Sequence, residues 1–413
     1  MRAPRLLLPA LASVLALLVA AVVWLNRPSG TPPPVAATTD PVAQVERGAY
    51  LARVGNCAGC HTARGGAAYA GGTAIGTPFG TVYAPNLTPD AATGIGAWSS
   101  DAFWRALHDG RAADGRLLAP VCPYPNYTQI GRDDVADLHA YLRSLPPVAQ
   151  PNRLHALRWP YGTQPALAVW RALYFRPGTP AADRGAYLVG GLGHCSACHG
   201  QRNAWGATGG ALDLRGGSIP TQGWVAPALD DPREAGVADW PLADIAALLR
   251  TGHSPQAVAS GPMALVVARS TQHLTDADAL AMARFLKALP QRGTPAAPSP
   301  PPDAATLALG ARLYERHCAD CHGAGGEGSP GAVPALAGNR AVVMDAPDNL
   351  LRVVLGGGFG PATAARPQPH GMPPYATLLS DAEIAAVVSF LRASWGHRAA
   401  PVNALDVNRQ RGS

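Results

Sequence analysis

The sequence predicts an all-α protein built from three consecutive helical units, and two observations carry that prediction. A helix-forming segment runs into the motif Cys-x-x-Cys-His at three places, and each unit then closes with an amphipathic helix. No segment shows convincingly the alternation of apolar and polar residues that is typical of a half-buried β-strand. The first cysteines of the three motifs lie 138 and 123 residues apart. Each unit therefore has the size of a domain rather than that of a solenoid repeat.

The closing helices are predicted from the spacing of their apolar residues. Such residues recur at intervals of three and four over Asp133–Leu145, Asp276–Leu289 and Asp381–Trp395. An aspartate begins each segment, and a proline follows the first two, as helix starts and stops favour. Each unit is thus expected to run from helix to cysteine motif, through a long irregular middle, to a closing helix.

Composition limits the classes of function. The chain has 413 residues, of which 47% are hydrophobic and 15% charged, so it can bury cores and is not a disordered polymer. Its net charge of +6 is not arranged in basic runs with interleaved aromatic residues. A nucleic-acid partner is therefore not expected.

The N-terminus predicts an export segment that stays attached to the membrane. Arg2 and Arg5 precede an apolar run of 20 residues, Leu6–Leu25, which is long enough to span a bilayer. A cleaved signal usually has an apolar core of only about 7–15 residues. Although Val19-Ala20-Ala21 offers a weak cleavage site, we expect a retained anchor with its arginines on the cytoplasmic side.

Six of the seven cysteines lie in motifs that are the attachment signature of c-type haem. A zinc site would need four ligands, and no unit supplies a second cysteine pair. A thioredoxin-type pair would not need the adjacent histidine. We therefore expect three covalently bound haem c groups, with the histidines as iron ligands. The attachment residues are Cys57, Cys60 and His61, then Cys195, Cys198 and His199, and finally Cys318, Cys321 and His322.

Methionines suit the second axial position in two units. Met263 and Met372 are predicted to stand in loops just before a closing helix, 64 and 50 residues past their histidines. Met282 and Met344 are expected to be structural. Methionine–histidine ligation raises the reduction potential of the iron.

The first unit has no methionine between Glu46 and Pro146. Cys122, which is 61 residues past His61, stands at the equivalent place and is predicted to be the sixth ligand. A thiolate ligand would lower the potential of this haem below the other two. The alternatives are a buried free cysteine beside a five-coordinate haem, or ligation by His108 or His139.

Together these motifs resemble the tri-haem cytochrome c subunits of membrane-bound bacterial dehydrogenases, over about residues 45–396. The family usually has methionine where this chain has Cys122. The segments that carry the likeness are Arg47-Gly48-x-Tyr50-Leu51, Pro85-Asn86-Leu87-Thr88-Pro89-Asp90 with Thr93-Gly94-Ile95-Gly96, Pro123-Tyr124, Ser260-Gly261-Pro262-Met263 and Ser394-Trp395-Gly396.

The resemblance implies three consecutive class I cytochrome c domains behind an N-terminal transmembrane anchor or signal. It implies an electron-transfer subunit rather than an enzyme, on the periplasmic side of the inner membrane. Electrons would come from a catalytic subunit of flavin, quinone or molybdenum type and pass to ubiquinone or a terminal oxidase. Two alternatives remain at this point. The chain would otherwise be a haem enzyme acting on sulfur compounds or peroxide at the first haem, or a stand-alone electron shuttle.

A recurring Pro-x-Leu sequence predicts how the ligand histidines are oriented. It occurs after each motif, at Pro85, Pro227 and Pro334. A metal-bound histidine needs its other ring nitrogen fixed by a hydrogen bond. In mono-haem class I cytochromes c a proline carbonyl accepts that bond, and the same is expected here.

The predicted boundaries follow from these motifs and from two proline-rich stretches. They are 1–26 for the signal anchor, 27–44 for a tether, 45–148 for the first domain, 149–180 for a connector, 181–290 for the second domain, 291–303 for a linker, 304–396 for the third domain and 397–413 for a polar tail.

Overall fold

Helices make up most of the regular structure, as the sequence predicts. The computed structural model describes residues 7–37, 39–293, 297, 299–329 and 331–412, without the side chains of residues 7 and 8. The chain divides into two compact units. One comprises Met1–Ala52, Cys57–Ala181 and Asn203–Ala207, and the other comprises Arg53–Asn56, Ala182–Arg202 and Thr208–Ser413. The second unit holds two of the three repeats, so the division into three separate domains stays a prediction.

The first unit is a set of helices with one small antiparallel sheet. Its helices are α1 (Leu7–Leu25), α2 (Pro41–Val54), α3 (Cys57–His61), α4 (Ser100–His108), α5 (Tyr124–Tyr127), α6 (Arg132–Ser144) and α7 (Gln164–Tyr174). Its strands are β1 (Ala74–Thr77), β2 (Gly80–Tyr83) and β3 (Ala156–Leu157), in the order β1-β2-β3.

The predicted connector 149–180 packs within the first unit. Its strand β3 pairs with β2, with Leu157 opposite Gly80. Its helix α7 is capped by the Thr163 side chain and buries Leu167 and Ala172. Aromatic and apolar residues therefore fold this segment onto the first repeat.

The second unit contains the other two repeats. The middle repeat has α8 (Arg184–Ala186), a π-helical segment (Tyr187–Leu192), α9 (Ser196–His199), α10 (Leu242–Thr251), α11 (Gly261–Arg269), a 3-10 turn (Thr271–His273) and α12 (Asp276–Lys287). The last repeat has α13 (Ala304–His317), α14 (Ala319–His322), α15 (Arg340–Val343), α16 (Asp348–Gly356), α17 (Asp381–Ala393) and α18 (Ala404–Arg411). Two-residue strands form the pairs β4 (Gly217–Ser218) with β5 (Val225–Ala226), β6 (His253–Ser254) with β7 (Ala257–Val258), and β8 (Gly358–Phe359) with β9 (Gly371–Met372).

The same helix crossing occurs in all three repeats, and a glycine permits it. Gly48, Gly185 and Gly310 lie where the first helix of each repeat meets the closing helix. A Cβ would lie 2.0 Å from the Asp137 oxygen at Gly48, 2.3 Å from the Ala281 oxygen at Gly185 and 2.3 Å from the Ala386 oxygen at Gly310. No side chain fits at such distances, so only glycine allows the two backbones to approach. This contact explains the glycine in each copy of the repeated sequence before the cysteine motif.

An ion pair strengthens this crossing in two repeats. Arg47 Nε lies 2.7 Å from Asp137 Oδ2, and Arg184 bonds to both oxygens of Asp278 at 2.9 and 2.8 Å. Both carboxylates are buried, and a buried charge is tolerated when it is paired in this way. The third repeat has Leu309 at this position and packs the crossing with apolar side chains instead.

Two features differ from the sequence predictions. The paired strands were not expected, but each is only two to four residues long, too short to show a period in sequence. The second feature lies in the segment predicted as a polar tail, 397–413, where residues Ala404–Arg411 form helix α18 with a capping box between Asn403 and Asp406. Val402 and Val407 of this segment are buried in the core of the third repeat. These two apolar side chains, together with the ion pair between Arg411 and Asp381, hold a segment of polar composition against the last repeat.

The predicted membrane segment forms helix α1. Its first residue, Leu6, lies outside the described residues. Among the helices formed by the described part of the chain, none has both the length and the hydropathy needed to cross a bilayer.

Candidate haem sites

Each Cys-x-x-Cys-His motif ends in a single helical turn, formed by α3, α9 and α14. This turn places the two thiols of a motif on one side of the chain, with the histidine directly after them. The second cysteine of each motif is exposed, and the first is half-buried. None of the seven cysteines, all of which are among the described residues, is in a disulfide, so six remain available for thioether bonds to haem.

A proline carbonyl holds each ligand histidine, as the recurring Pro-x-Leu sequence predicts. The distance from histidine Nδ1 to the carbonyl oxygen is 2.8 Å for His61 and Pro85, 2.7 Å for His199 and Pro227, and 3.0 Å for His322 and Pro334. Since a carbonyl only accepts, Nδ1 carries the proton in all three rings. The predicted contact with the proline carbonyl is thus confirmed, and it leaves the Nε2 lone pair available; iron binding through Nε2 stays a prediction.

Burial keeps these imidazoles in the form that binds a metal. It lowers the pKa of His61, His199 and His322 below the usual value, and the hydrogen bond to the proline oxygen opposes part of that decrease. A lowered pKa favours the neutral ring at pH 7. Only a neutral imidazole has a lone pair to donate to iron.

A glycine that the sequence analysis missed supports each proline. The backbone N–H groups of Gly71, Gly216 and Gly328 donate to the carbonyl oxygens of His61, His199 and His322, at 2.8, 2.7 and 2.7 Å. All three glycines have positive φ, and a Cβ on any of them would meet the backbone next to the proline. They stand 10, 17 and 6 residues past the histidine. Because this spacing varies, no fixed pattern in the sequence reveals them.

The third site shows an open apolar cleft between the predicted ligands. Its empty space, including the part open to solvent, is about 960 Å³. Cys318, His322 and Met372 all line it, with leucines and valines forming most of the remaining wall. A histidine, a thioether and an attachment cysteine around an apolar cleft fit a c-type haem. Met372 lies in strand β9 rather than in a loop, and it is half-buried.

In the second site, Met263 is the third residue of helix α11, so its predicted position in a loop was wrong. Gly261 begins this helix with a φ of +53°, and a Cβ there would lie 2.7 Å from the ring of Trp224. A close-packed turn thus fixes the start of the helix that carries Met263. The role of Met263 as an iron ligand stays a prediction.

In the first site, the half-buried Cys122 lies close enough to the attachment cysteines for their thiols to affect one another's pKa. Burial, and to a smaller extent the nearby Cys60 thiol, raises the pKa of the Cys122 thiol to about 12. Burial is also the main reason that the pKa of Cys57 is raised to about 12, and the neighbouring Cys60 and Cys122 contribute to the increase. The chain therefore brings the Cys122 sulfur close to the motif of the first repeat.

The two alternative ligands of the first haem pack against aromatic rings. His108 Nδ1 donates to Asp109 Oδ1 at 2.9 Å, and the His108 ring stacks on Trp104 with the ring centres 4.0 Å apart. His139 stacks on Phe103 at 5.0 Å, and burial lowers its pKa to about 4. Its Nε2 is buried and makes no hydrogen bond to any described residue. The Nδ1 hydrogen bond of His108 leaves its Nε2 without a role in that contact, so both histidines stay open alternatives.

Comparison with known proteins identifies the family. A family model described as Cytochrome c matches residues 45–146 and 307–395. The chain is 39% identical over 399 residues to the cytochrome c subunit of alcohol dehydrogenase (quinone) from Gluconacetobacter polyoxogenes, covering 89% of this chain and 84% of that protein. It is 38% identical over 391 residues to the gluconate 2-dehydrogenase cytochrome c subunit of Pantoea cypripedii, covering 88% of this chain and 89% of that protein. It is 32% identical over 413 residues to the fructose dehydrogenase cytochrome subunit of Gluconobacter japonicus, covering 89% of this chain and 82% of that protein.

The middle repeat lies outside the two matched ranges, but it has the same local structure. Gly185 permits the same helix crossing as Gly48 and Gly310, and His199 bonds to Pro227 as the other two histidines bond to their prolines. The likeness to the relatives also extends across nearly the whole chain. The chain therefore belongs to the family of cytochrome c subunits of alcohol, gluconate and fructose dehydrogenases, and it is an electron-transfer subunit whose catalytic partner is a separate chain.

Proposed function

We propose that this chain carries three haem c groups, one on each Cys-x-x-Cys-His motif. It passes electrons from a periplasmic dehydrogenase subunit to ubiquinone or a terminal oxidase. The observation that carries the proposal is the histidine–proline hydrogen bond, which stands beside the motif in every repeat. When bound, the haem supplies one-electron oxidation and reduction at its iron.

The residues of the chain hold this group and tune it. The two thiols of each motif form the thioether bonds, and the histidine binds iron through Nε2. Met263 and Met372 are proposed as the sixth ligands of the second and third haems, and Cys122 as that of the first. The apolar wall of the third cleft excludes water, and low polarity around the iron is one determinant of its potential.

Counting haems in the intact protein tests the first part of the proposal. Mass spectrometry of the matured chain is expected to show the polypeptide plus three haem masses. A Cys195→Ser, Cys198→Ser double variant should lose one haem, since it removes both thioether bonds of the middle motif. Fewer than three haems in the unaltered protein would overturn the assignment.

Purification from native membranes tests the partner and the acceptor. The catalytic subunit, of flavin, quinone or molybdenum type, is expected to co-purify with this chain. Its substrate should then reduce the haems, and added ubiquinone or oxidase should reoxidise them. If the native chain purifies alone and remains fully active as an electron carrier, it is a stand-alone shuttle.

Membrane attachment through the first 26 residues is part of the same proposal. The exposed apolar side chains of α1, such as Leu11, Leu17 and Val23, support a lipid environment for this helix. Replacing residues 1–26 by a cleavable signal should release the isolated chain as a soluble cytochrome. A native N-terminus that begins near Asn26 would show that the segment is cleaved instead.

A further inference from the structure

The wall of the third cleft includes residues from the middle repeat. Val258 and Ser260 line it, although the other lining residues belong to the last repeat. Val258 ends strand β7, and Ser260 is the residue before helix α11, three positions before Met263. The segment that leads to the proposed ligand of the second haem thus closes one side of the third haem site.

An asparagine joins the two repeats at the same place. The Asn349 side-chain amide donates to the Val225 carbonyl at 2.7 Å, and its oxygen accepts from the Val225 N–H at 3.0 Å. Asn349 also lines the third cleft. Val225 stands two residues before Pro227, whose carbonyl holds His199. A short run of covalent and hydrogen bonds therefore leads from the ligand histidine of the second site to the wall of the third.

An aromatic ring fills the space beside this contact. The Trp224 indole packs over Gly261, at the start of the helix that carries Met263. On the other repeat, the Arg352 guanidinium lies 5.9 Å from the centre of the same ring. Arg352 and Asn349 are three residues apart on α16 and share one face of that helix. Helix α16 therefore docks on the strand that precedes Pro227.

A second contact, made by a residue whose side chain does not line the third cleft, holds the repeats together. The Arg340 N–H donates to the Gln256 carbonyl at 2.7 Å, and its guanidinium donates to the Pro232 carbonyl. The guanidinium also lies 3.5 Å from Asp239 and 5.9 Å from the centre of the Trp240 ring. Only 16% of the Arg340 side chain is exposed, whereas the Asp239 side chain is 73% exposed, so the hydrogen bond to the Pro232 carbonyl matters more here than the ion pair. A hydrogen bond from a mostly buried guanidinium to a backbone carbonyl fixes a relative orientation more firmly than an exposed ion pair does.

We propose that Asn349 and Arg340 are positioning residues that fix the middle and last repeats as one redox unit. The second and third haems then exchange electrons at a constant separation, without docking of one repeat on the other. In each transfer one iron(II) is oxidised to iron(III) while the other iron(III) is reduced to iron(II), and no proton moves. This inference rests on the proposed function, because it requires a haem at both sites.

The experiment uses the full-length holoprotein with three variants. Asn349→Leu keeps the size and removes the amide pairing, and Arg340→Gln removes the charge without touching the cleft. Arg316→Gln is the matched control, because Arg316 is exposed on α13 of the same unit. Haem content is measured first, then the rate of electron equilibration between the second and third haems after flash reduction. Hydrogen exchange of residues 225–226 and 349–352 reports on docking.

Both interface variants should keep three haems, slow the inter-haem equilibration severalfold and increase exchange at these backbone positions. The potential of the third haem should also shift, because its wall opens to water. The control should match the unaltered protein in all three measurements. If Asn349→Leu and Arg340→Gln both retain the original rate, potential and exchange, the positioning role is refuted. A haem count below three in the unaltered protein would instead refute the proposed function.

Discussion

Replacing Gly310 by alanine tests the helix crossing that defines each repeat. A Cβ at this position would lie 2.3 Å from the Ala386 oxygen and 2.6 Å from Cβ of Phe390. Overpacking a well-packed core costs about 1–3 kcal/mol, and the upper end applies because a backbone oxygen cannot rotate away. Alanine regains about 1 kcal/mol of helix propensity over glycine. The free energy of unfolding of the last repeat should therefore fall by about 2 kcal/mol.

The assay is a urea titration of the oxidised holoprotein. Hydrogen exchange of the backbone amides of α13 and α17 shows where stability is lost. The midpoint should fall while the slope with urea stays the same, since the change alters stability and not the surface exposed. Gly356→Ala is the control in the same repeat, because no atom lies within 4 Å of the added Cβ. Gly48→Ala and Gly185→Ala should destabilise their own repeats by similar amounts. Equal stability of the Gly310 and Gly356 variants would refute the close-approach argument.

Three further predictions concern the haem sites and pH. The pKa of His139 is about 4 in the folded chain and about 6.5 in the unfolded chain. As pH falls from 6.5 to 4, the unfolded chain therefore binds a proton that the folded chain does not, and the free energy of unfolding of the first unit should fall by up to about 3 kcal/mol. In the His139→Gln variant the urea midpoint should depend less on pH over that range. If the midpoint of the variant depends on pH as strongly as that of the unaltered protein, His139 is not the cause of the effect. Cys122→Ser should shift the reduction potential of one of the three haems, and Cys122→Met should raise that potential towards those of the other two. Unchanged spectra and potentials in the serine variant would exclude Cys122 as a ligand. Met372→Leu should lower the potential of the third haem and convert its ferric spectrum from low to high spin, with three haems retained; an unaltered spectrum would exclude Met372.

The sequence by itself determined the features that local chemistry dictates. Cys-x-x-Cys-His carries its covalent function within five residues, so no tertiary information is needed to recognise it. The closing helices were found from apolar spacing, and α6, α12 and α17 begin within one residue of the predicted starts. The proline carbonyls were also predictable, because Pro-x-Leu recurs after each motif.

Tertiary structure alone decided which distant residues support these sites. Gly71, Gly216 and Gly328 have one role but no common spacing, because the loop between histidine and proline differs in length in each repeat. Helix α18 depends on two valines that gain stability only when the core of the last repeat is present to cover them. Asn349 is an ordinary polar residue in sequence, and its partner is a backbone 124 residues away. A hydrogen bond of this kind leaves no local pattern, because chain folding and not residue type brings its two groups together.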